Sequence, residues 1–337
     1  YALDCLAATE DPSAYEPLIA YVTPDGLWRF PADAGAASLQ AARPFPLAEA
    51  VAMLQALRID VMVPHMFCLP GMTSYRGLFD VLGIPYVGNP PAVMALTAHK
   101  PRAKAVVAAA GVRVPVGETL GPNDLPTLAV PAIVKPADGD NSLGLSLVRN
   151  VAGYPDALAA ARSVSTDVLV ESYVELGREV RCGVLERDGQ LTPLPLEEYL
   201  VHSLDRPVRS AADKLARSSD GQLHLVAKTV DRAWIVDVED PVTERVWKAA
   251  LRCHRALGAR HYSLFDFRID PIGQPWFLEA GMYCSFAEKS VVAVMAAAAG
   301  IGVPELFRTT LAQALRPGIP GRLAAQPGPT TRRSTCT

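Results

Sequence analysis

Residues 264–281 read LFDFRIDPIGQPWFLEAG. Two runs of aromatic and aliphatic residues flank Asp270-Pro271-Ile272-Gly273, a turn signal, so the segment predicts a β-hairpin. Pairing Ile269 with Trp276 sets Phe267 beside Leu278 and Asp266 opposite Glu279. Strand alternation then gives one face to Phe265, Phe267, Ile269, Trp276, Leu278 and Ala280, all apolar and destined for a core, and the other to Asp266 and Glu279. Two carboxylates held about 5 Å apart repel unless something positive lies between them. A hard divalent cation such as Mg2+ (or Mn2+), which prefers carboxylate oxygens and shared phosphates, suits the pair. On this segment alone, a solvated hairpin with its charges outward remains the alternative.

Working outward, 132–136 is a short apolar strand that ends in Lys135-Pro136 and runs into a loop, 137–144, with Gly139, Gly144, Asn141 and Ser142. Backbone amides in such a loop can form a nest for phosphate oxygens, with the lysine as a point charge. Glu171 and Glu179 bracket Ser172-Tyr173-Val174, a connection able to hold a nucleoside through its amine and ribose hydroxyls. Asp188-Gly189 joins 178–186 to 191–196 as a hairpin. The polar stretch 202–222 is long enough for a functional loop or lid.

At the N-terminal side, 17–21 and 27–30 flank the turn 23–26 and predict another hairpin. Helical periodicity at 48–57 and 77–82 alternates with strand signals at 59–64 and 84–88, giving residues 1–90 the pattern of an open α/β layer. Asn89 and the two prolines after it predict a capped helix start. Further helices are expected at 103–110, ending at Gly111, at 243–257, ending at Gly258, and at 290–315, with a disordered tail over 316–337.

A chain of 337 residues exceeds one small core and suits two or three domains. A net charge of −3 argues against nucleic acid as a partner. The apolar run 290–303 is shorter than the roughly 20 residues a membrane span needs, so no membrane role is expected. With no basic-then-apolar leader after Tyr1, the expectation is a cytoplasmic enzyme. The six cysteines are scattered, without zinc-ligand spacing, and read as reduced thiols.

In this order the pieces resemble the ATP-grasp superfamily, specifically its D-alanine-D-alanine ligase branch, across 15–315. The segments that carry the resemblance are GIPYVGN (83–89), HKPRAKAVVAAAGVRVP (99–115), PAIVKPADGDNSLGLSLV (131–148), VLVESYVELGREV (168–180) and the 264–281 hairpin. The resemblance implies an α/β (α+β) ATP-grasp fold: an N-terminal open α/β domain (1–99), a central subdomain (100–178) and a C-terminal subdomain with the metal hairpin (179–315), the last two enclosing ATP. It implies that Lys100 and Lys135 contact the phosphates and that Ser142 lies in the loop over them. Glu171 would meet the adenine amine, Val174 its ring through the backbone, and Glu179 the ribose. Lys214 would reach the γ-phosphate, and Asp266 and Glu279 would hold magnesium. His65, Ser285 and Ser290 fall where substrate binds, although a structural histidine and helix capping explain them equally well.

The sequence also departs from that branch. An arginine two residues before the metal aspartate is Leu264 here, and an asparagine ligand two residues after the glutamate is Gly281. The tyrosine after the loop lysine is Leu215, and HMFCLPGMTSYRG (65–77) replaces HGxxGE, keeping only His65. A narrower resemblance, carried by HMFCLPGMTSYRG, ELGREVRCGVL, PLEEY and HYSLFDFRIDPIGQPWFLEAGMYCSFAEKSV, is to the D-alanine-D-alanine-ligase-like enzymes of mycosporine-like amino acid biosynthesis. It implies that ATP phosphorylates the ring oxygen of mycosporine-glycine and that serine, threonine or a similar amino acid displaces phosphate, giving a disubstituted product of the shinorine or porphyra-334 type. A dipeptide ligase and a catalytically inactive nucleotide-binding regulatory protein are the competing readings. The expected partners are small molecules, with a homodimer left open.

Overall fold

In a computed structural model the described residues are 2–139, 141–201, 207–208, 215–217, 223–225, 232–283 and 285–316. The first described element is α1 (Ala2–Ala8), which was not expected, and the expected hairpin forms as β1 (Tyr21–Val22) and β2 (Trp28–Arg29). Helices α2 (Ala36–Ala41), α3 (Leu47–Ala56), α4 (Leu69–Met72) and α5 (Ser74–Leu82) follow. The strands expected at 59–64 and 84–88 shrink to a single parallel bridge, Met62 to Tyr86. Pro64 and Pro85 lack the N–H that a longer ladder needs. Trp28, Leu54, Phe79 and Tyr86 close a small core here.

Helix α6 (Pro91–Ala98) begins without a side-chain cap, contrary to the expectation for Asn89. The Asn89 amide instead donates to the carbonyls of Tyr262 and Met282, both at 2.9 Å, and its oxygen accepts from the Arg260 N–H at 2.8 Å. Prolines at 90 and 91 offer no N–H for a cap, so the amide satisfies distant backbone groups instead. Helix α7 (Lys100–Ala109) starts at Lys100 rather than residue 103, behind His99, whose Nδ1 accepts from the Arg102 N–H.

A four-stranded antiparallel sheet comes next: β3 (Gly117–Leu120), β4 (Ala132–Pro136), β5 (Ser146–Val148) and β6 (Val168–Ser172), in the order β3-β6-β4-β5. One face is covered by α8 (Tyr154–Arg162), which the sequence reading did not anticipate. Tyr154, Ala157, Leu158 and Ala161 recur at helical spacing and pack on Val134, Val148, Val168 and Val170.

The larger sheet contains β7 (Arg178–Arg187), β8 (Gln190–Pro193) and β9 (Glu197–Tyr199), with β10 (Leu215–Arg217) and β11 (Leu223–Leu225) forming a separate ribbon. Strand β12 (Ala233–Ile235) precedes α9 (Pro241–Leu257), and β13 (Tyr262–Ile269) and β14 (Pro275–Gly281) form the hairpin. Its order is β12-β9-β7-β13-β14, with β8 beside β7. Asp240 caps α9 by accepting from the Val242 N–H at 2.9 Å, and Gly258 ends it at φ 69°. Val242, Val246, Ala250, Cys253 and Leu257 bury one helix stripe against Val180, Cys182, Phe265, Phe267 and Phe277. Burial pushes the Cys182 thiol far up and Cys253 up to about 12, so both are inert. Helices α10 (Val291–Ala298) and α11 (Val303–Ala314) close the described chain. No single described helix is long and apolar enough to cross a membrane. The residues expected to form the tail at 317–337 lie outside the described set.

The hairpin register differs in part from the expectation. Ile269 pairs with Pro275, Arg268 with Trp276 and Phe267 with Phe277; a bulge then intervenes, and Asp266 faces Glu279 as expected. Phe277, not Trp276 or Leu278, enters the core. The cause lies in the turn. Asp270 accepts from the Gln274 N–H at 2.8 Å and from the indole Nε1 of Trp276 at 2.9 Å, closing the loop one residue tighter and drawing the indole outward. Leu278 becomes the extra residue of the bulge.

Candidate active site

The polar face of the larger sheet follows from strand alternation. Across β9, β7, β13 and β14, the row Glu197, Arg181, Asp266, Glu279 runs from neighbour to neighbour. Beside it runs Tyr199, Glu179, Arg268, and on the other side Gly183, Leu264, Gly281. The opposite face is the apolar core against α9, so these polar side chains have no alternative but the cleft between the two sheets.

One cavity gathers Lys100, Lys135, Gly139, Ser142, Glu179, Asp266 and Glu279, together with Leu278 and Val208. Lysines from α7 and β4 thus face the two opposed carboxylates from the hairpin. The backbone N–H of Lys100 donates to the Ala137 carbonyl at 2.8 Å, and its ammonium donates to the carbonyl of Gly139. Asn141 and Ser142 both adopt left-handed φ, 53° and 57°, and Gly144 follows at 67°. These φ values mark a tight turn whose Ser142 lines the cavity. A Cβ at Gly139 would lie 2.8 Å from the Pro136 side chain, which is why the loop can lie so close to the strand.

Glu179 is paired with the Arg268 guanidinium, whose Nε lies 3.0 Å away. Arg268 also donates to the Val174 carbonyl at 3.1 Å and lies over the Tyr173 ring at 5.3 Å. It therefore pins the connection between β6 and β7, where the nucleoside contacts were expected. Glu171 does not line the cavity; it is 2% exposed, held by Lys135 at 2.5 Å and Lys104 at 3.0 Å. Burial alone raises its carboxyl, but the two lysines outweigh that and its pKa is lowered.

Arg181 places Nε 2.9 Å from Asp266 Oδ1 and stacks on the Tyr199 ring at 4.6 Å. Burial opposes its charge, yet Asp266, Tyr199 and Glu197 raise its pKa. Among the described residues no group of three or more His, Cys, Asp or Glu side chains could enclose a metal alone. Two carboxylates in a cleft with two lysines instead fit a magnesium ion that takes its other oxygens from a polyphosphate.

His65, Ser285 and Ser290 are absent from the residues around this cavity. His65 lies near Phe67, which packs on Tyr283 just past β14 with ring centroids 5.0 Å apart. The His65 Nδ1 is buried without a hydrogen-bond partner among the described residues, and burial pushes the ring down to about 4. Ser285 meets the Cys5 thiol at 3.3 Å, and Ser290, at the start of α10, donates to the Ser285 carbonyl instead of capping the helix. Lys214 lies outside the described residues.

Sequence reasoning missed Lys104 and Arg268 altogether. Arg268 was legible, since it shares a face with Asp266; Lys104 was not, because nothing in a helical pattern tells a buried lysine from a surface one.

Two sheets closing over a cleft of lysines and opposed carboxylates define the ATP-grasp class. The description "D-ala D-ala ligase C-terminus" matches residues 122–312. The D-alanine–D-alanine ligase of Mycobacterium ulcerans is 32% identical over 274 residues, covering 77% of this chain and 70% of that protein. The corresponding ligase of Mycolicibacterium smegmatis is 28% identical over 361 residues, 94% of this chain and 93% of its own. Among solved structures, the VanG D-Ala:D-Ser ligase from Enterococcus faecalis matches with a TM-score of 0.74 at 20% identity, covering 93% of this chain and 94% of that one. The D-alanine–D-alanine ligase from Bacillus anthracis complexed with ATP matches at 0.62 and 21%, covering 81% and 85%. The chain belongs to the D-alanine-D-alanine ligase family, whose members are ATP- and Mg2+-dependent enzymes that form C–N bonds.

Proposed function

We propose that this chain joins an amino acid to an acceptor by phosphorylating an acceptor oxygen with ATP and letting the amine displace phosphate. The observation that carries the reading is the cavity that sets Lys100 and Lys135 against Asp266 and Glu279. The lysines bind and orient the polyphosphate, the carboxylates would hold the Mg2+ that neutralises it, and the loop at 141–144 supplies backbone donors. Glu179 and the Val174 backbone, both fixed by Arg268, bind the nucleoside. By the resemblance, Lys214 of the 202–222 segment, outside the described residues, would contact the γ-phosphate.

The relatives favour a D-alanyl dipeptide as the product: a carboxylate oxygen attacks the γ-phosphorus, ADP departs, and the second amine displaces phosphate from the acyl phosphate. The comparisons support this acceptor better than any other. One observation favours a second reading. Leu264 and Gly281 face each other directly beside the carboxylate row, so the site has an aliphatic side chain and bare backbone there. By the resemblance, the arginine that Leu264 replaces would stabilise an acyl oxyanion, and such a donor is typically worth a few kcal/mol in the transition state. An enaminone such as mycosporine-glycine makes less demand on it: its ring oxygen takes the phosphoryl group, the amine adds to the ring carbon, and the C–O bond breaks to release phosphate and leave an imine.

A panel pairing D-alanine and mycosporine-glycine with a set of amino acids distinguishes the two. Dipeptide with phosphate release supports the first. A shift of the near-ultraviolet absorption to longer wavelength with phosphate release supports the second, because the imine extends the conjugated chromophore.

A further inference from the structure

Lys135, Glu171 and Lys104 form a buried row that leads away from the cavity. Only Lys135 lines it; Glu171 and Lys104 lie behind, 2% and 5% exposed. Lys135 Nζ donates to Glu171 Oε1 at 2.5 Å, and Lys104 Nζ lies 3.0 Å from Oε2 and donates to the Phe277 carbonyl at 3.1 Å. The row ties β4 and β6 to α7 and to the strand that carries Glu279.

The charges count in an unusual way. A Lys135–Glu171 pair alone would be neutral, and an entering polyphosphate would have to draw Lys135 away from a buried carboxylate, leaving Glu171 uncompensated where water cannot reach it. Two lysines on one carboxylate leave the row one positive charge in excess. Glu171 then stays paired with Lys104 when Lys135 turns to an anion. We propose that Lys104, which does not line the nucleotide cavity, is a positioning residue for nucleotide binding: a buried counter-charge that keeps Glu171 satisfied and frees Lys135 for the phosphates. This rests on the reading of the cavity as an ATP site. Burial pushes the Lys104 ammonium down to about 8, against the upward pull of Glu171; Lys135 pushes the same way as burial, and Glu279 adds to the upward pull.

The test is calorimetric titration of ATP with magnesium into the whole chain. Lys104→Met should weaken ATP at least about tenfold. The double variant Lys104→Met/Glu171→Gln restores the excess charge without Lys104 and should bind within about threefold of the unmodified protein. A Lys104→Met variant that binds as tightly as the unmodified chain overturns the inference, and so does a double variant as weak as the single one, since that is what a merely structural lysine produces. Should Lys104→Met not fold, the unmodified chain still decides: its ATP affinity should fall between about pH 7 and pH 9 as Lys104 loses its proton, and the double variant's should not. A flat profile in the unmodified chain overturns the inference. Absence of any ATP binding by the unmodified chain refutes the nucleotide reading itself, an outcome distinct from the others.

Discussion

Asp266 and Glu279 stand opposite each other on β13 and β14, with Arg181 on the far side of Asp266 and two lysines across the cavity. Arg181 places its guanidinium beside Asp266 and orients its carboxylate. Asp266→Asn and Glu279→Gln should each reduce turnover by at least about two orders of magnitude, because the transferred phosphoryl group then loses its cation. Melting temperatures of both variants should stay near that of the unmodified chain, and unimpaired rates at saturating magnesium would contradict the metal assignment. This pair was readable from sequence by counting outward from the turn, although the count succeeds only because the bulge at Leu278 makes good the tighter loop. Arg181 was not, because its partner lies on another strand 85 residues away. Gly281 is a separate matter of space: an added Cβ would make ordinary contact with Leu264 at 3.8 Å, so sterics do not require glycine there.

At the level of elements, the hairpin shows where pattern reading stops. Alternation gave the carboxylate pair, but the turn closes one residue tighter than counting implied, and the bulge at Leu278 restores the register before Glu279. No periodicity signals such a compensation. The entry to β7 is equally specific. Gly177 donates its N–H to the Ile269 carbonyl at 2.9 Å, and a Cβ there would lie 2.8–2.9 Å from the backbone of Ile269 and Asp270. Backbone cannot swing aside as a side chain can, so Gly177→Ala should cost about 1–3 kcal/mol. Urea unfolding measures this, and an unchanged midpoint would mean that the hairpin turn yields freely. Helix α8 went unforeseen although Tyr154, Ala157, Leu158 and Ala161 keep helical spacing and its four alanines favour helix. Helix α9, with an Asp-Pro start and a glycine stop, was plain.

Across the whole molecule, the N-terminal part is bound to the hairpin through buried polar contacts. Asn89 bonds Tyr262 and Met282, and the His261 Nδ1 accepts from the Gly88 N–H at 2.9 Å. Such long-range contacts leave no trace in local sequence, which is why Asn89 was mistaken for a cap. Burial pushes His261 down to about 3, and His65 and His254 down to about 4. Unfolding returns all three to about 6.5, so between roughly pH 3 and 6.5 the unfolded chain binds more protons than the folded one. Stability is therefore full above about pH 6.5 and is lost as the pH falls. The urea midpoint should be lower at about pH 5 than at about pH 7.5, and an equal or higher midpoint at the acid end would contradict the burial of these rings. The fold class was legible because its motifs come in a fixed order, whereas the acceptor depends on the few residues, Leu264 and Gly281 among them, that depart from that order. The most direct test of the account follows ADP and phosphate release together with product while ATP, magnesium, an amino acid and either D-alanine or mycosporine-glycine are supplied. The account predicts that ATP turnover requires both acceptor and amine and yields one new C–N bond per ADP; ATP turnover without such a bond, or none with any pairing, would contradict it.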